Sequence, residues 1–343
     1  AEIDRLVGTI RDAGEIGDDT VDMFFQVIAA GRDKELDPEQ YPALWSRLGR
    51  GLNDGALGIG MPHQYYPGVS YDEIFRLFQF AADRNAPIFT HVRSMGVTGM
   101  QEVVANAIAT GAPLHIVHMN SMSLWDYQTN LDLILGAQER GADITVEAYP
   151  YTAASTGIRS AIFDDGWQER MRISYEDIQW QDTGERLTEE TFNAYRAQGG
   201  TVIIHLMKEE WIRAQLADPR VMIASDGMPY APGAHPRSAG TFSRFLGRYV
   251  RDQELMSLMG GLAKVSLMPA ERLESIAPQM KRKGRLQIGS DADITIFAAD
   301  EIIDAADFQG GLTYSEGVRY VLVNGQFVVW DGEIVEGARP GQP

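Results

Sequence analysis

Short apolar runs alternate with amphipathic stretches from about residue 54 onward, and this alternation constrains the fold of the 343-residue chain more than any other feature. Each run is long enough for one strand, and the stretches between the runs carry apolar residues at helical spacing. Strands that alternate with helices usually form a parallel sheet covered by helices. The pattern therefore predicts an α/β fold.

Six apolar runs are the candidate strands of this parallel sheet. They span residues 56–60, 87–92, 114–119, 143–149, 201–206 and 221–226. The candidate helices between them span residues 71–84, 99–110, 131–140, 188–198 and 208–217. We interpret the pattern as a (β/α)8 TIM-type barrel that is incomplete in this chain, because an eight-stranded barrel needs two more strands.

The two ends of the chain depart from this alternation. Residues 1–53 read as a helical lead-in, and residues 54–283 as the barrel domain. In the remaining segment, residues 284–343, Asn324-Gly325 joins one pair of apolar runs and Asp331-Gly332 joins another. Both dipeptides are strong signals of β-hairpins. We expect this segment to form a small C-terminal β-sandwich appendage.

The composition limits both the partners and the chemistry. Lys and Arg number 30 against 48 Asp and Glu, and the resulting net charge of -18 repels nucleic acids and anionic membranes. No stretch approaches the roughly 20 consecutive apolar residues of a membrane span, and no signal segment opens the chain. We expect a cytoplasmic protein that binds neither nucleic acid nor a membrane. Because the chain has no cysteine, any metal would be held by His, Asp or Glu.

Histidines near the ends of predicted strands are the candidate metal ligands. His91 and His118 lie near the carboxyl ends of strands in consecutive βα units, where barrels place their chemistry. Asp226 ends the last predicted strand and can supply a carboxylate ligand or accept a proton from water. Because side chains alternate along a strand, His115 and His118 should point to opposite faces.

A lone histidine is more often a hydrogen-bonded structural residue than a ligand. We favour this structural role for His63, His115 and His205.

Several motifs between about residue 54 and the end of the chain resemble those of the D-aminoacylase branch of the amidohydrolase superfamily, the N-acyl-D-amino-acid deacylases. They are Thr90-His91-Val92-Arg93, Val117-His118, Glu147-Ala148-Tyr149-Pro150-Tyr151, Ser225-Asp226-Gly227 and His235-Pro236-Arg237. The resemblance implies a barrel with a β-sandwich and the deacylation of an N-acyl-D-amino acid. It also implies that His91 and His118 bind one or two zinc ions, which activate water. Asp226 would be a further ligand and the proton acceptor.

The resemblance also implies residues that bind the substrate. Arg237 would form a two-pronged bond to the substrate carboxylate, and Tyr149 would bind that carboxylate or the amide oxygen. Arg93 and Asn120 are further candidates for substrate contacts. Asn120 stands where the D-aminoacylases have a lysine that helps to hold the substrate.

One part of the superfamily pattern is missing from the sequence. The first strand of the superfamily normally carries a His-x-His pair, and these 343 residues contain no such pair. The metal-bridging residue of the family would also lie upstream. We therefore expect that a segment of about a hundred residues or more was removed or is supplied by a companion polypeptide. Association of several copies of the chain is also open.

Two other functions remain open at this point. A cyclic-amide hydrolase of the dihydroorotase or hydantoinase kind shares the metal chemistry. A non-catalytic subunit would keep the barrel but lack the missing histidines. Substrate turnover distinguishes the first alternative, and metal content distinguishes the second.

Overall fold

The computed structural model describes residues 31–229 and 231–342. Most of the predicted lead-in, residues 1–30, lies outside the described residues. The described part of the lead-in holds a 3-10 turn at Pro38–Gln40 and the helix α1 at Tyr41–Asn53. No helix in the described part of the chain is both long and apolar enough to cross a membrane.

A five-stranded parallel sheet forms the centre of the molecule, which confirms the predicted α/β class. Its strands are β1 Ile59–Pro62, β2 Ile88–His91, β3 Leu114–Ile116, β4 Ile144–Ala148 and β8 Val221–Ile223, hydrogen-bonded in that order. All four pairings are parallel. In residues 31–229 and 231–342 no other strand pairs with either edge, so these residues do not close a barrel.

Helices follow the strands of this sheet as the alternation predicts. The helices that follow β1, β2 and β3 are α2 Tyr71–Ala82, α3 Val97–Thr110, α4 Met119–Ser123 and α5 Tyr127–Glu139. Three more helices lie between β4 and β8: α6 Trp167–Met171, α7 Glu189–Gln198 and α8 Glu209–Ala217. Ser70 begins α2 by accepting a hydrogen bond from the backbone N–H of Glu73. The apolar sides of the helices cover the sheet, and the side chains of Ile88, Leu114 and Val146 are fully buried between the layers.

The run at 201–206 does form a strand, but its place in the parallel sheet was predicted wrongly. Strand β7, Thr201–His205, pairs antiparallel with β5 Ala153–Gly157 and β6 Ile178–Trp180 in a separate three-stranded sheet. An apolar run indicates a buried strand but not the direction of its neighbour. The sequence analysis missed β5 and β6, because one is rich in small residues and the other has only three residues.

Helical segments follow the last parallel strand. They are α9 Arg237–Arg244, a π-helical segment at Phe245–Asp252, α10 Leu258–Leu262, a second π-helical segment at Ala263–Leu267, and α11 Met268–Leu273. The backbone of Gly247 packs so closely on the carbonyl of Ile302 that an added Cβ would lie 2.1 Å from that oxygen. The C-terminal segment is therefore held tightly against this helical run.

The C-terminal segment forms a four-stranded antiparallel sheet. Its strands are β9 Ile294–Phe297, β10 Val318–Val323, β11 Gln326–Trp330 and β12 Glu333–Ile334. The hairpin predicted at Asn324-Gly325 joins β10 to β11, and both turn residues have positive φ, 49° and 76°. The hairpin predicted at Asp331-Gly332 joins β11 to β12. A sandwich needs a second sheet, and the described residues of this segment form one sheet.

A buried ion pair connects the C-terminal segment to the rest of the fold. The carboxylate of Asp304 accepts hydrogen bonds from Arg244 at 3.0 Å and from the hydroxyl of Tyr151 at 3.2 Å. Only 5% of the Asp304 side chain is exposed. Because Arg244 ends α9, this pair also fixes the helix that begins at Arg237.

We expect Asp304→Asn to lower the free energy of unfolding by about 2 kcal/mol, because the variant removes the counter-charge of Arg244, whose side chain is only 21% exposed. Asp72→Asn is the matched control, since Asp72 pairs with Arg76 at the surface, where half of each side chain is exposed. That control should cost at most about 1 kcal/mol. Urea denaturation measures both values, and equal losses would contradict the structural role of Asp304.

Candidate active site

Two histidines from neighbouring strands meet at the carboxyl edge of the parallel sheet. His91 is the last residue of β2, and His118 lies two residues beyond β3. The Nδ1 atom of His91 lies 3.0 Å from the Nε2 atom of His118. His118 has left-handed backbone with a φ of 35°, so the turn, and not strand alternation, aims its ring. The structure thus brings together the two predicted metal ligands.

Each of these imidazoles has a partner for its outer nitrogen. His91 Nε2 donates to Gln64 Oε1 at 2.7 Å, which leaves the lone pair on Nδ1 facing His118. The hydroxyl of Ser121 lies 3.1 Å from His118 Nδ1. Burial, together with the neighbouring His118 and His63, holds the pKa of His91 well below its usual value. His91 is therefore neutral, as a metal ligand must be.

The pair of imidazoles fits zinc as two of its ligands. Two nitrogens that share a tetrahedral zinc ion, each about 2.0–2.1 Å from the metal, lie roughly 3.3 Å apart. The observed separation of 3.0 Å is close to that value. In residues 31–229 and 231–342 no group of three or more His, Cys, Asp or Glu side chains is arranged to hold a metal ion. Among the described residues, the chemistry of these two imidazoles fits two positions of a four-coordinate site.

An ion pair lies beside the histidines. Asp226 follows β8 with a φ of 47°, and its Oδ2 is 2.8 Å from Nη1 of Arg237. Only 2% of the Arg237 side chain is exposed, against 32% for Asp226. The guanidinium lies 4.8 Å from the ring centre of Tyr149, where a cation and an aromatic face attract each other. Asp226 therefore contacts Arg237. Asp226 also lines a cavity.

His235 fixes the position of Arg237, and sequence analysis did not assign it this role. Its Nε2 donates to the carbonyl of Ala153 at 3.0 Å, and its Nδ1 accepts from the backbone N–H of Arg237 at 3.0 Å. Burial and the nearby Arg237 keep the pKa of His235 well below its usual value, so the ring stays neutral and can do both. The link ties the start of α9 to strand β5.

A cavity of about 250 Å³ lies between these groups. The functional side chains that line it are His91, His118, Asp226, Arg237, Gln64 and Tyr65. Sequence analysis missed Gln64 and Tyr65, although both follow the end of β1 and the strand-end rule that selected His91 applies to them. Tyr65 bonds Thr156 on β5 at 3.0 Å, so the antiparallel sheet forms one wall of the cavity.

Arg93 and Asn120, two of the predicted substrate residues, do not line this cavity. Arg93 forms an ion pair of 2.9 Å with Glu102 and donates a hydrogen bond to the carbonyl of Val69. Asn120 is buried, and its amide bonds the backbone carbonyl and N–H of Tyr149. Both side chains hold the local backbone in place. Tyr149 itself is fully buried beneath Arg237, and burial raises the pKa of its phenol.

Of the histidines that we expected to be structural, His115 and His205 take no part in the His91–His118 contact, whereas His63 is near enough to His91 to lower its pKa. His115 bonds Thr145 and Glu147 on the neighbouring strand β4. His205 donates to Gln179, and burial lowers its pKa to about 4. His63 is buried, which lowers its pKa to about 3, but neither ring nitrogen has a hydrogen-bond partner among the described residues, so the hydrogen-bonded role that we expected for it is not seen.

Comparison with known proteins gives the class to which this fold and site belong. The sequence pattern of the amidohydrolase family matches residues 12–329, and the chain belongs to that family. It is 31% identical over 319 residues to N-acyl-D-glutamate deacylase of Alcaligenes xylosoxydans xylosoxydans, covering 87% of this chain and 63% of that protein. It is 27% identical to D-aminoacylase of the same organism, covering 89% of this chain and 64% of that protein.

A solved structure of a related enzyme is also similar. The crystal structure of N-acyl-D-glutamate deacylase from Bordetella bronchiseptica, complexed with zinc and a phosphonate inhibitor that mimics the tetrahedral intermediate, matches with a TM-score of 0.76 and 28% identity. The match covers 88% of this chain and 67% of that chain. The present chain spans 63% and 64% of the length of the two curated relatives, which is less than two thirds.

We expect Gln64→Leu to weaken zinc binding by about 10–100-fold, because the acceptor that orients His91 is lost. Competition with a chromogenic chelator measures the affinity. Gln128→Leu is the matched control, since the exposed Gln128 bonds the exposed Asp132 on the surface of α5. Zinc affinity that is unchanged in Gln64→Leu would contradict the orienting role of Gln64.

The lowered pKa of His205 makes the stability of the fold depend on pH. In the unfolded chain the pKa of His205 is about 6.5, and in the folded chain burial lowers it to about 4. Between these values the unfolded state binds more protons, so the free energy of unfolding falls as the pH is lowered from 6.5 toward 4. His205→Gln should lose less stability than the parent over this range in urea denaturation. An identical pH dependence of the two proteins would contradict this assignment.

Proposed function

We propose that the protein hydrolyses a linear amide and that its substrate is an N-acyl-D-amino acid. The observation that carries this proposal is the convergence of His91 Nδ1 and His118 Nε2, 3.0 Å apart, in a cavity shared with Asp226 and Arg237. Two imidazoles, a carboxylate and a guanidinium suit metal binding, proton transfer and carboxylate recognition respectively. The substrates named for the relatives fall in the same class.

His91 and His118 would hold a zinc ion. When bound, zinc polarises the amide carbonyl and lowers the pKa of water so that it can attack at neutral pH. Two ligand positions of a four-coordinate ion remain after these histidines. We propose that Asp226 or groups outside the described residues fill them, and that a companion polypeptide is one source of such groups.

Asp226 would move the proton. As the water oxygen bonds to the carbonyl carbon and the C–N bond breaks, Asp226 accepts a proton from the water and delivers it to the leaving amine nitrogen. The products are a carboxylic acid and a free amino acid. About a third of the Asp226 side chain is exposed, and it borders the cavity, so that water can reach it.

Arg237 would hold the substrate through its carboxylate. The guanidinium is buried, and its Nε lacks a hydrogen-bond partner among the described residues. Because Arg237 lines the cavity, a substrate carboxylate there would compete with Asp226 for the guanidinium. Substrate binding would then release the Asp226 carboxylate for proton transfer, which couples binding to catalysis.

We further propose that residues 54–283 and their parallel sheet are part of a (β/α)8 barrel that is incomplete in this chain, with residues 284–343 as part of a β-sandwich. Support comes from the unbroken parallel order of the five strands and from the position of the site at their carboxyl ends. Residues 1–53 would be a helical lead-in.

The decisive experiment is amide hydrolysis by the zinc-loaded protein. Release of free amino acid from N-acetyl-D-methionine should be detected, and Asp226→Asn should lower kcat by about 10²–10⁴-fold, because the proton acceptor is lost. Asp132→Asn, a change in an exposed carboxylate on α5, should leave kcat unchanged.

Other outcomes identify other functions. Turnover of hydantoin or dihydroorotate without turnover of acyl amino acids would indicate a cyclic-amide hydrolase. Absence of stoichiometric zinc, together with unaltered behaviour of His91→Ala and Asp226→Ala, would refute the enzymatic proposal and favour a non-catalytic subunit.

A further inference from the structure

We propose that Phe308 is a positioning residue for the candidate site. Its ring holds His235, and through His235 it holds Arg237, against the antiparallel sheet. Phe308 lies in the C-terminal loop, residues 298–317, which connects β9 to β10. Phe308 does not line the cavity, so it acts through other side chains. The inference rests on the proposed function, in which Arg237 binds the substrate carboxylate, and it adds the C-terminal segment to the framework of the site.

The C-terminal loop is folded back on itself by two backbone bridges. Ile303 and Glu316 form the first bridge, with hydrogen bonds of 3.0 and 3.3 Å between their backbones, and Asp307 and Gly311 form the second. The carboxylate of Asp307 also accepts a hydrogen bond of 2.8 Å from a backbone N–H of the turn. Phe308 therefore lies in a turn whose backbone is fixed on both sides.

The ring of Phe308 packs on two histidines and a tyrosine. Its centroid lies 5.0 Å from that of His235, with an angle of 79° between the ring planes, and 5.0 Å from that of His205. Tyr151 contacts the same ring edge-on at 6.4 Å. Edge-to-face contacts at such distances are favourable. The backbone carbonyl of Phe308 accepts a hydrogen bond of 2.9 Å from the side chain of Gln179 on β6, so the antiparallel sheet holds its backbone as well.

His235 connects Phe308 to Arg237. Its Nε2 donates to the carbonyl of Ala153 at 3.0 Å, and its Nδ1 accepts from the backbone N–H of Arg237 at 3.0 Å. Hydrogen bonds to ring nitrogens lie near the plane of the ring, so the tilt of that plane is fixed by the rings that pack on it. Phe308 is one of these rings, and Tyr151, 5.4 Å away, is another. Removal of Phe308 would let His235 tilt and would weaken its bond to Arg237.

Hydrogen exchange of single backbone amides in the full chain tests the inference without a requirement for activity. Mass spectrometry with electron-transfer fragmentation resolves the amides. In Phe308→Ala the amide of Arg237 should exchange about three- to tenfold faster, because its acceptor is held less firmly. The amide of Val117, which bonds Thr90 beside the histidine pair, should keep the rate of the parent. Tyr314→Ala is the matched control, since Tyr314 lies in the same loop and is 78% exposed, and it should change neither rate.

Kinetics of the zinc-loaded full chain give the second measurement. Phe308→Ala should raise KM for N-acetyl-D-methionine about three- to tenfold, because the residue that binds the substrate carboxylate is displaced. Both kcat and the zinc affinity should stay within about twofold of the parent, since the contacts of His91, His118 and Asp226 are unchanged. Phe308→Leu refills most of the space and should raise KM less than Phe308→Ala does.

The outcomes separate the inference from the proposed function. An unchanged exchange rate at Arg237 would overturn the inference, because it shows that Phe308 does not hold His235. An equal increase at Arg237 and Val117 would overturn it too, since it shows only a general loss of stability. Absence of turnover by the parent chain would refute the proposed function, and the exchange rates would still decide whether Phe308 positions Arg237.

Discussion

Parallel pairing of β2 with β3 is the constraint on which the candidate site depends. In this register Thr90 lies opposite Ile116, and the backbone N–H of Val117 bonds the carbonyl of Thr90. His91 follows Thr90, and His118 follows Val117. These two histidines therefore leave the sheet side by side at its carboxyl edge. A slip of one residue would move one ring to the opposite face and separate the two imidazoles.

The backbone conformation of two residues, together with the strand register, positions the side chains of the candidate site. His118 and Asp226 both have positive φ, 35° and 47°, which residues other than glycine seldom adopt. Such conformations persist only where the surrounding structure enforces them, and they concentrate at functional sites. Here each one follows the end of a parallel strand and turns a polar side chain toward the cavity.

The antiparallel sheet gives the cavity a wall and gives Arg237 a fixed position. His235 bonds strand β5 through the carbonyl of Ala153, and Tyr65 bonds Thr156 on the same strand. Arg244, at the other end of the Arg237 helix, is held by the buried Asp304. The helix α9, which begins at Arg237, is thus held at both of its ends.

The sequence by itself determined the α/β class, five of the six candidate strands as members of the parallel sheet, the C-terminal hairpins and the placement of His91, His118, Asp226 and Arg237 around one cavity. Apolar periodicity, turn dipeptides and strand-end positions are local signals, which can be read from the sequence without knowledge of the tertiary contacts. Only the tertiary structure decided that residues 201–205 pair antiparallel, that Arg93 and Asn120 serve the backbone, and that Gln64 and His235 orient the site. Each of these depends on a partner distant in sequence, because strand direction and hydrogen-bond choice are set by packing between elements.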